Sequence, residues 1–304
     1  MKLRVIHETL YQYAPAVQNA QHLAHLRPRS DGGQRVLSHT LQVAPTPSQC
    51  VVGQDVFGNS RAFLLLPFTH EQLCVRAETL LHTSAPLPAP PGEPWEAVRD
   101  RLAYRRGMPY HPAAEFGFAS PYIPRHADFV AYARESFVPG RPLMEVARDL
   151  TARIHADFAY TAHLTDAGTP ALESLRLRRG VCQDFAHVMI GCLRSMGLAA
   201  RYVSGYLLTE PPPGQPRLVG ADASHAWVSV WSPAPDAGDG ALAPGAMATP
   251  EWFDLDPTNN RAAGEDYVTL AIGRDFSDVS PLRGVIHGGD HHVLQVAVTV
   301  EPAI

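Results

Sequence analysis

The chain has 304 residues, 45% of them hydrophobic and 18% charged, enough for about two domains with cores of ordinary size. A formal net charge of −5 argues against nucleic acid as a partner, whose electrostatic footprint is basic and clustered. The start, Met1 to Glu8, carries charges and no apolar signal region, and the longest apolar run, near Ala62 to Phe68, is too short to span a bilayer. The expectation is a cytoplasmic protein without membrane contact.

Residues 1–82 predict a β-rich N-terminal domain, sandwich-like in form. Leu3, Val5, Thr9, Tyr11 and Tyr13 share one parity, against Lys2, Arg4, Glu8 and Gln12 on the other. Leu37, Leu41 and Val43 share a face with His39, and Leu73, Val75, Ala77 and Thr79 alternate again. Phe57-Gly58-Asn59 reads as a turn between two strands. His7, His22, His25 and His39 read as surface or semi-buried residues and not as metal ligands, because no helical i, i+4 pair or cysteine frames them. Cys50 and Cys74 could pair in an exported protein; the expected reduced state leaves them free.

Residues 83–155 predict a proline-rich linker followed by helices. Pro86, Pro88, Pro90, Pro91 and Pro94 stiffen the linker. Trp95, Val98 and Leu102 then repeat at helical spacing, as do Leu143, Val146, Ala147, Leu150 and Ile154, with Pro142 suited to a helix start.

Residues 156–304 predict a third unit. Gly180 reads as a turn, with Cys182 in or just before the first turn of a helix whose apolar face holds Phe185, Met189, Cys192, Leu193 and Met196. Gly197 ends it. Unpaired backbone N–H groups at a helix start favour a thiolate, whereas Cys192, on the apolar stripe, reads as core. Ala200 to Leu208 is strand-like. Ala223 to Trp231 alternates as a strand with His225 near its start, and Trp252 to Asp256 is a strand ended by Pro257. Two loops flank the His225 strand, one at Pro211 to Gly214 and one from Ser232 to Pro250. Asp290-His291-His292 with His287 matches no standard metal spacing. A thiol at a helix start, a histidine on one strand and a carboxylate on the next can form a nucleophile, a base and an orienting acid.

Four segments, GVCQDFAH (from Gly180), RYVSGYL (from Arg201), SHAWVSVW (from Ser224) and DPTNN (from Asp256), resemble the core of the transglutaminase-like superfamily, in its bacterial cysteine-protease branch. The region before the core resembles that branch's β-rich N-terminal region, and Gly273 to Val279 resembles its closing segment. The resemblance implies an α+β fold, with a papain-like or transglutaminase-like core in which the cysteine helix packs on an antiparallel sheet. It implies Cys182 as nucleophile, His225 as base and Asp256 in preference to Asp254 as acid. Tyr160 and Thr161 fall where the superfamily often has an aromatic near the active site; core packing is the favoured reading of Tyr160. The Cys182 backbone N–H would be one oxyanion donor, with the second open between Gln183 and an upstream residue. The implied activity is amide or peptide hydrolysis on a peptide or protein substrate, with no cofactor and no metal. Its rivals are amine transfer and a non-catalytic binding or scaffold role, which an intact Cys182, His225 and Asp256 set disfavours.

Overall fold

The computed structural model describes residues 1–86, 89, 92–107, 110–161, 168–209, 224–233 and 251–303. Most of both loops flanking the His225 strand, and Pro88, Pro90 and Pro91 of the linker, lie outside the described residues. Strands β1 (Lys2–Ala24), β2 (Gln34–Ala44), β3 (Gln49–Gln54), β4 (Ser60–Leu66) and β5 (His70–Thr83) come first. Helices α1 (Trp95–Leu102), α2 (Ala127–Ala133) and α3 (Leu143–Asp157) follow, then β6 (Ala159–Tyr160), α4 (Ala171–Leu177) and β7 (Arg179–Gly180). The remainder is α5 (Cys182–Ser195), β8 (Ala200–Leu207), β9 (Ser224–Trp231), β10 (Trp252–Asp256), β11 (Arg261–Ala262), β12 (Tyr267–Gly273), α6 (Phe276–Val279), β13 (Leu282–Gly288) and β14 (His291–Pro302). No described helix is long and apolar enough to cross a membrane.

The N-terminal unit is one seven-stranded antiparallel sheet organised on β1. The first half of β1 lies between β5 and β14, and its second half between β4 and β13, with the register broken after Gln12. Tyr13 and Val17 of β1, Leu64 of β4, and Leu73 and Val75 of β5 share one buried cluster, so the sheet packs over its own core in the sandwich-like manner the alternation predicts. Two details differ from the sequence reading. A bulge between Val36 and Ser38 takes Leu37 out of register and leaves it 40% exposed, because an extra residue in one strand reverses facing locally. Residues 282–302, assigned by sequence to the catalytic unit, pair as β13 and β14 with β1, so the chain's end completes the first domain's sheet.

His7, His22 and His25 are buried in this sheet. Burial holds both His7 and His22 down to about 4. The unfolded chain takes up these protons near pH 6.5, the ordinary value for histidine, whereas the folded chain resists until about 4. The contribution is therefore full above about pH 6.5 and is lost as pH falls toward 4, with His7 alone carrying about 3 kcal/mol. Urea midpoints are expected to fall across that window. His22→Leu should flatten the fall, since both His22 ring nitrogens are buried without hydrogen-bond partners among the described residues. An unchanged pH slope in His22→Leu would contradict this.

The second unit is a five-stranded antiparallel sheet in the order β11-β10-β9-β8-β12, against which α5 packs. Even-numbered residues of β9, Ala226, Val228 and Val230, join Phe185, Met189, Cys192 and Leu193 of α5 in one core. Cys192 is fully buried, as its place on the apolar stripe predicts. Arg194, 2% exposed, holds the helix end to its surroundings by donating to the carbonyls of Phe116, Ala200 and Arg274. The closing segment clamps the same helix, where the Phe276 N–H donates to His187 Nε2 at 3.2 Å.

Candidate active site

Gly180, Val181 and Asp184 build the turn that presents Cys182. The Asp184 carboxylate accepts the Val181 N–H (2.8 Å) and the Ser174 hydroxyl (2.7 Å). It thus fixes the entry to α5 and ties it to α4, a role for a first-turn acid that also suits the positive end of the helix. A Cβ on Gly180 would sit 2.4 Å from Asp184 Oδ2, so the approach of carboxylate to backbone requires glycine there. Cys182 is then the first helical residue and half-buried.

His225 stands at the second position of β9, with Gly205 of β8 opposite it. A Cβ on Gly205 would meet the Val268 carbonyl at 2.1 Å and the Trp227 ring at 2.4 Å. Glycine therefore lets the neighbouring strand and indole close up beside the histidine. His225 Nε2 donates to Asp256 Oδ2 at 2.6 Å, and the imidazole lies close enough to the Cys182 side chain for the two to interact. With Nε2 engaged by the carboxylate, Nδ1 is the nitrogen left for sulfur. Burial opposes a charge on His225, but the interactions with Asp256 and Cys182 outweigh it and raise the group to about 10. The imidazolium is thus the resting form at neutral pH, and it stands beside the sulfur.

Asp256 is fully buried. Burial works against its ionisation, but His225, Asn259 and Tyr267 hold it down to about 2. Three donors converge on Oδ2: His225, the Asn259 amide at 2.7 Å and the Tyr267 hydroxyl at 2.7 Å. The other oxygen accepts the Thr258 and Asn259 backbone N–H groups at 2.8 and 3.2 Å. Pro257 stops β10 at this point, and the turn after it folds those two N–H groups back on the carboxylate. Asp254, of the same parity, is instead engaged with the Trp227 indole N–H at 3.0 Å.

The structure therefore brings together all three residues singled out by sequence, Cys182, His225 and Asp256. Tyr160 corrects the core-packing reading. It is 58% exposed, because β6 is a two-residue strand that among the described residues pairs only with β7, and it lies close enough to Cys182 for the sulfur to raise its hydroxyl further after burial has done so. Tyr267 and the Asp184–Ser174 pair were not singled out by sequence. Strand alternation marks Tyr267 only as one more buried aromatic, and the pairing of Ser174 with Asp184 crosses an element boundary that no spacing rule covers. Asn259 lies inside the quoted DPTNN motif, but its bond to the carboxylate needs the turn geometry to be seen.

Residues 3–81 match the family described as the bacterial transglutaminase-like N-terminal region, and residues 130–257 match the transglutaminase-like superfamily. An uncharacterized protein of Mycobacterium tuberculosis is 40% identical over 309 residues, covering 99% of this chain and 93% of its own length. A protein-glutamine gamma-glutamyltransferase of Pseudomonas aeruginosa is 31% identical over 146 residues, 47% of this chain and 21% of that protein. Among solved structures, a "Putative Cysteine Protease" from Cytophaga hutchinsonii superposes with a TM-score of 0.72 at 18% identity, over 99% of this chain and 90% of that one, a likeness of fold.

Proposed function

Because this chain belongs to the transglutaminase-like superfamily, we propose that it is a cysteine-dependent amide or peptide hydrolase working through a thioester acyl-enzyme. The observation that carries this reading is one imidazole held by a buried carboxylate and lying beside the Cys182 side chain at a helix start. In the reaction so read, the Cys182 thiolate attacks an amide carbonyl and the C–S bond forms. His225 gives its proton to the departing amine as the C–N bond breaks. Water then adds to the thioester carbonyl as His225 takes its proton, the C–S bond breaks, and the acid leaves with Cys182 restored. Asp256 keeps the imidazole oriented and stabilises its charge without itself becoming protonated. The Cys182 backbone N–H, at the helix start, supports the developing oxyanion. Four free thiols suit a reducing, cytoplasmic setting.

Amine transfer is the second reading, favoured by the likeness over 146 residues to the gamma-glutamyltransferase. The two reactions share the acyl-enzyme and part only at the acceptor. Water prevails by its bulk concentration unless a pocket holds an amine and excludes solvent. A peptide mixture supplied with a millimolar lysine-like amine and analysed by mass should yield free acid as the main product. Amine adduct in large excess over acid would replace the hydrolase reading with transfer.

A further inference from the structure

A concave site lies on the face of the five-stranded sheet turned away from α5. Tyr202, Val228 and Phe253 face α5, whereas Val203, Trp227 and Ile272 form a separate cluster on the opposite side. Arg201 shares the parity of Val203 and lines a cavity of about 710 Å³ between this face, the turn after β3 and the 3-10 turn at Pro112–Gly117. That volume falls in the range of small-ligand pockets, roughly 300–1,000 Å³. Along β9, His225 pairs with Gly205 and Ser229 with Arg201. The four intervening steps put the row holding Arg201 about 13 Å from the row holding the catalytic histidine.

The walls are aromatic. Trp252 meets Phe116 edge-on at 5.3 Å between centroids, and Phe116 meets Phe57 at 5.5 Å. The Arg201 guanidinium lies over the Trp252 ring, 4.2 Å from its centroid. Three arginines line the cavity, and two are committed. Arg29 donates to the Phe57 carbonyl and the Asn59 side chain, and Arg274 makes a two-pronged pair with Asp278. Arg201 differs from both. Its Nε is buried with no hydrogen-bond partner among the described residues. Asp254, which attracts it from across Ser229, has its Oδ2 taken by the Trp227 indole. Burial pulls Arg201 down only to about 10, so it keeps its charge at neutral pH. A half-buried cation whose buried Nε has no partner among the described residues, stacked on an indole in an aromatic-walled cavity, is completed by an anion.

We propose that this cavity binds a carboxylate carrying an aromatic or apolar body, the carboxylate held by Arg201 and the body packed among Phe57, Phe116 and Trp252. Guanidinium and carboxylate match as a charge-assisted pair, and the flat aromatic walls suit a flat ligand body. A free small acid and the C-terminus of a peptide both offer this chemistry.

The test is titration calorimetry of the intact protein with 3-phenylpropionate, and with 3-phenylpropionamide as the uncharged match. A peptide ending in phenylalanine, with free or amidated C-terminus, is the second pair. At least one acid should bind at millimolar concentration or below, with its amide about tenfold or more weaker, the loss of one charge-assisted bond. The pair that responds identifies the source. Arg201→Gln should remove the preference for acid. Should that variant not fold, Val56→Trp serves: Val56 is 92% exposed at the cavity edge, and the larger side chain should block binding without disturbing a core. Cys182→Ala should bind the acid unchanged, so this result is independent of the proposed hydrolysis. Equal affinity for acid and amide, no binding of either acid, or full acid binding by Arg201→Gln or by Val56→Trp would overturn the proposal.

Discussion

Cys182→Ala is expected to lower turnover by about ten-thousand-fold or more while leaving the urea midpoint nearly unchanged, since removing a nucleophile abolishes the covalent route that the other groups serve. The side chain is only half-buried at the first position of α5, so little packing is lost with the sulfur. Cys192 provides the contrast on the same helix. It is fully buried, and burial raises its thiol well above the ordinary range. Cys192→Ala should therefore cost about 1 kcal/mol of stability through the small cavity it leaves and should spare kcat/KM. The same division should appear in labelling. At pH 6 iodoacetamide should modify the Cys182 peptide before the others, because this half-buried thiol is the one with the His225 imidazole beside it. Equal labelling of all four cysteines in the folded protein, or a stable Cys182→Ala protein with full turnover, would remove Cys182 from the reaction.

Much of the site was legible because its parts are local. A helix start after glycine, a histidine early in an alternating strand and a carboxylate before proline each follow from a short-range rule, and the order of the four motifs joins them. The contacts that complete the site are not local. Tyr267 reaches Asp256 from β12, although β12 lies three positions from β10 in the sheet order. Arg201 and Phe57 share a cavity only because the first domain sits against the second. The return of β13 and β14 to β1 was hidden for the same reason: alternation identifies a strand but not its partner, and antiparallel neighbours here come from opposite ends of the chain, as Val17 and Gly288 do. Leu37 shows the smaller limit, since a bulge of one residue is invisible to a parity count.

Asp256→Asn is expected to lower kcat/KM by about a thousand- to ten-thousand-fold, and Asp254→Asn by less than about threefold, by the logic of a carboxylate that fixes the tautomer of a catalytic imidazole. The two residues differ by one pleat, and their surroundings decide the outcome. Every partner of Asp256 is a donor: His225, Asn259 and Tyr267 on Oδ2, the Thr258 and Asn259 backbone on Oδ1. An asparagine must place its NH₂ on one side or the other, and either choice sets donor against donor in a buried site. If the amide turns its NH₂ to His225, the ring can accept it only by shifting its own proton to the nitrogen facing Cys182, the tautomer that cannot accept from a thiol. Asp254 has one described hydrogen-bond partner, the Trp227 indole N–H, and the carbonyl oxygen of an asparagine can accept it equally well. The pH profile separates loss of orientation from simple misfolding. In the wild type Asp256 helps to hold His225 up at about 10, so the imidazolium persists on the alkaline side and is lost only as pH rises toward that value. With the carboxylate removed, burial remains and opposes the charge, and the alkaline limb of kcat/KM should move down by more than one pH unit. Asp254→Asn should leave that limb in place. A severe Asp254→Asn with a mild Asp256→Asn, or an alkaline limb that ignores Asp256, would transfer the orienting role away from this carboxylate.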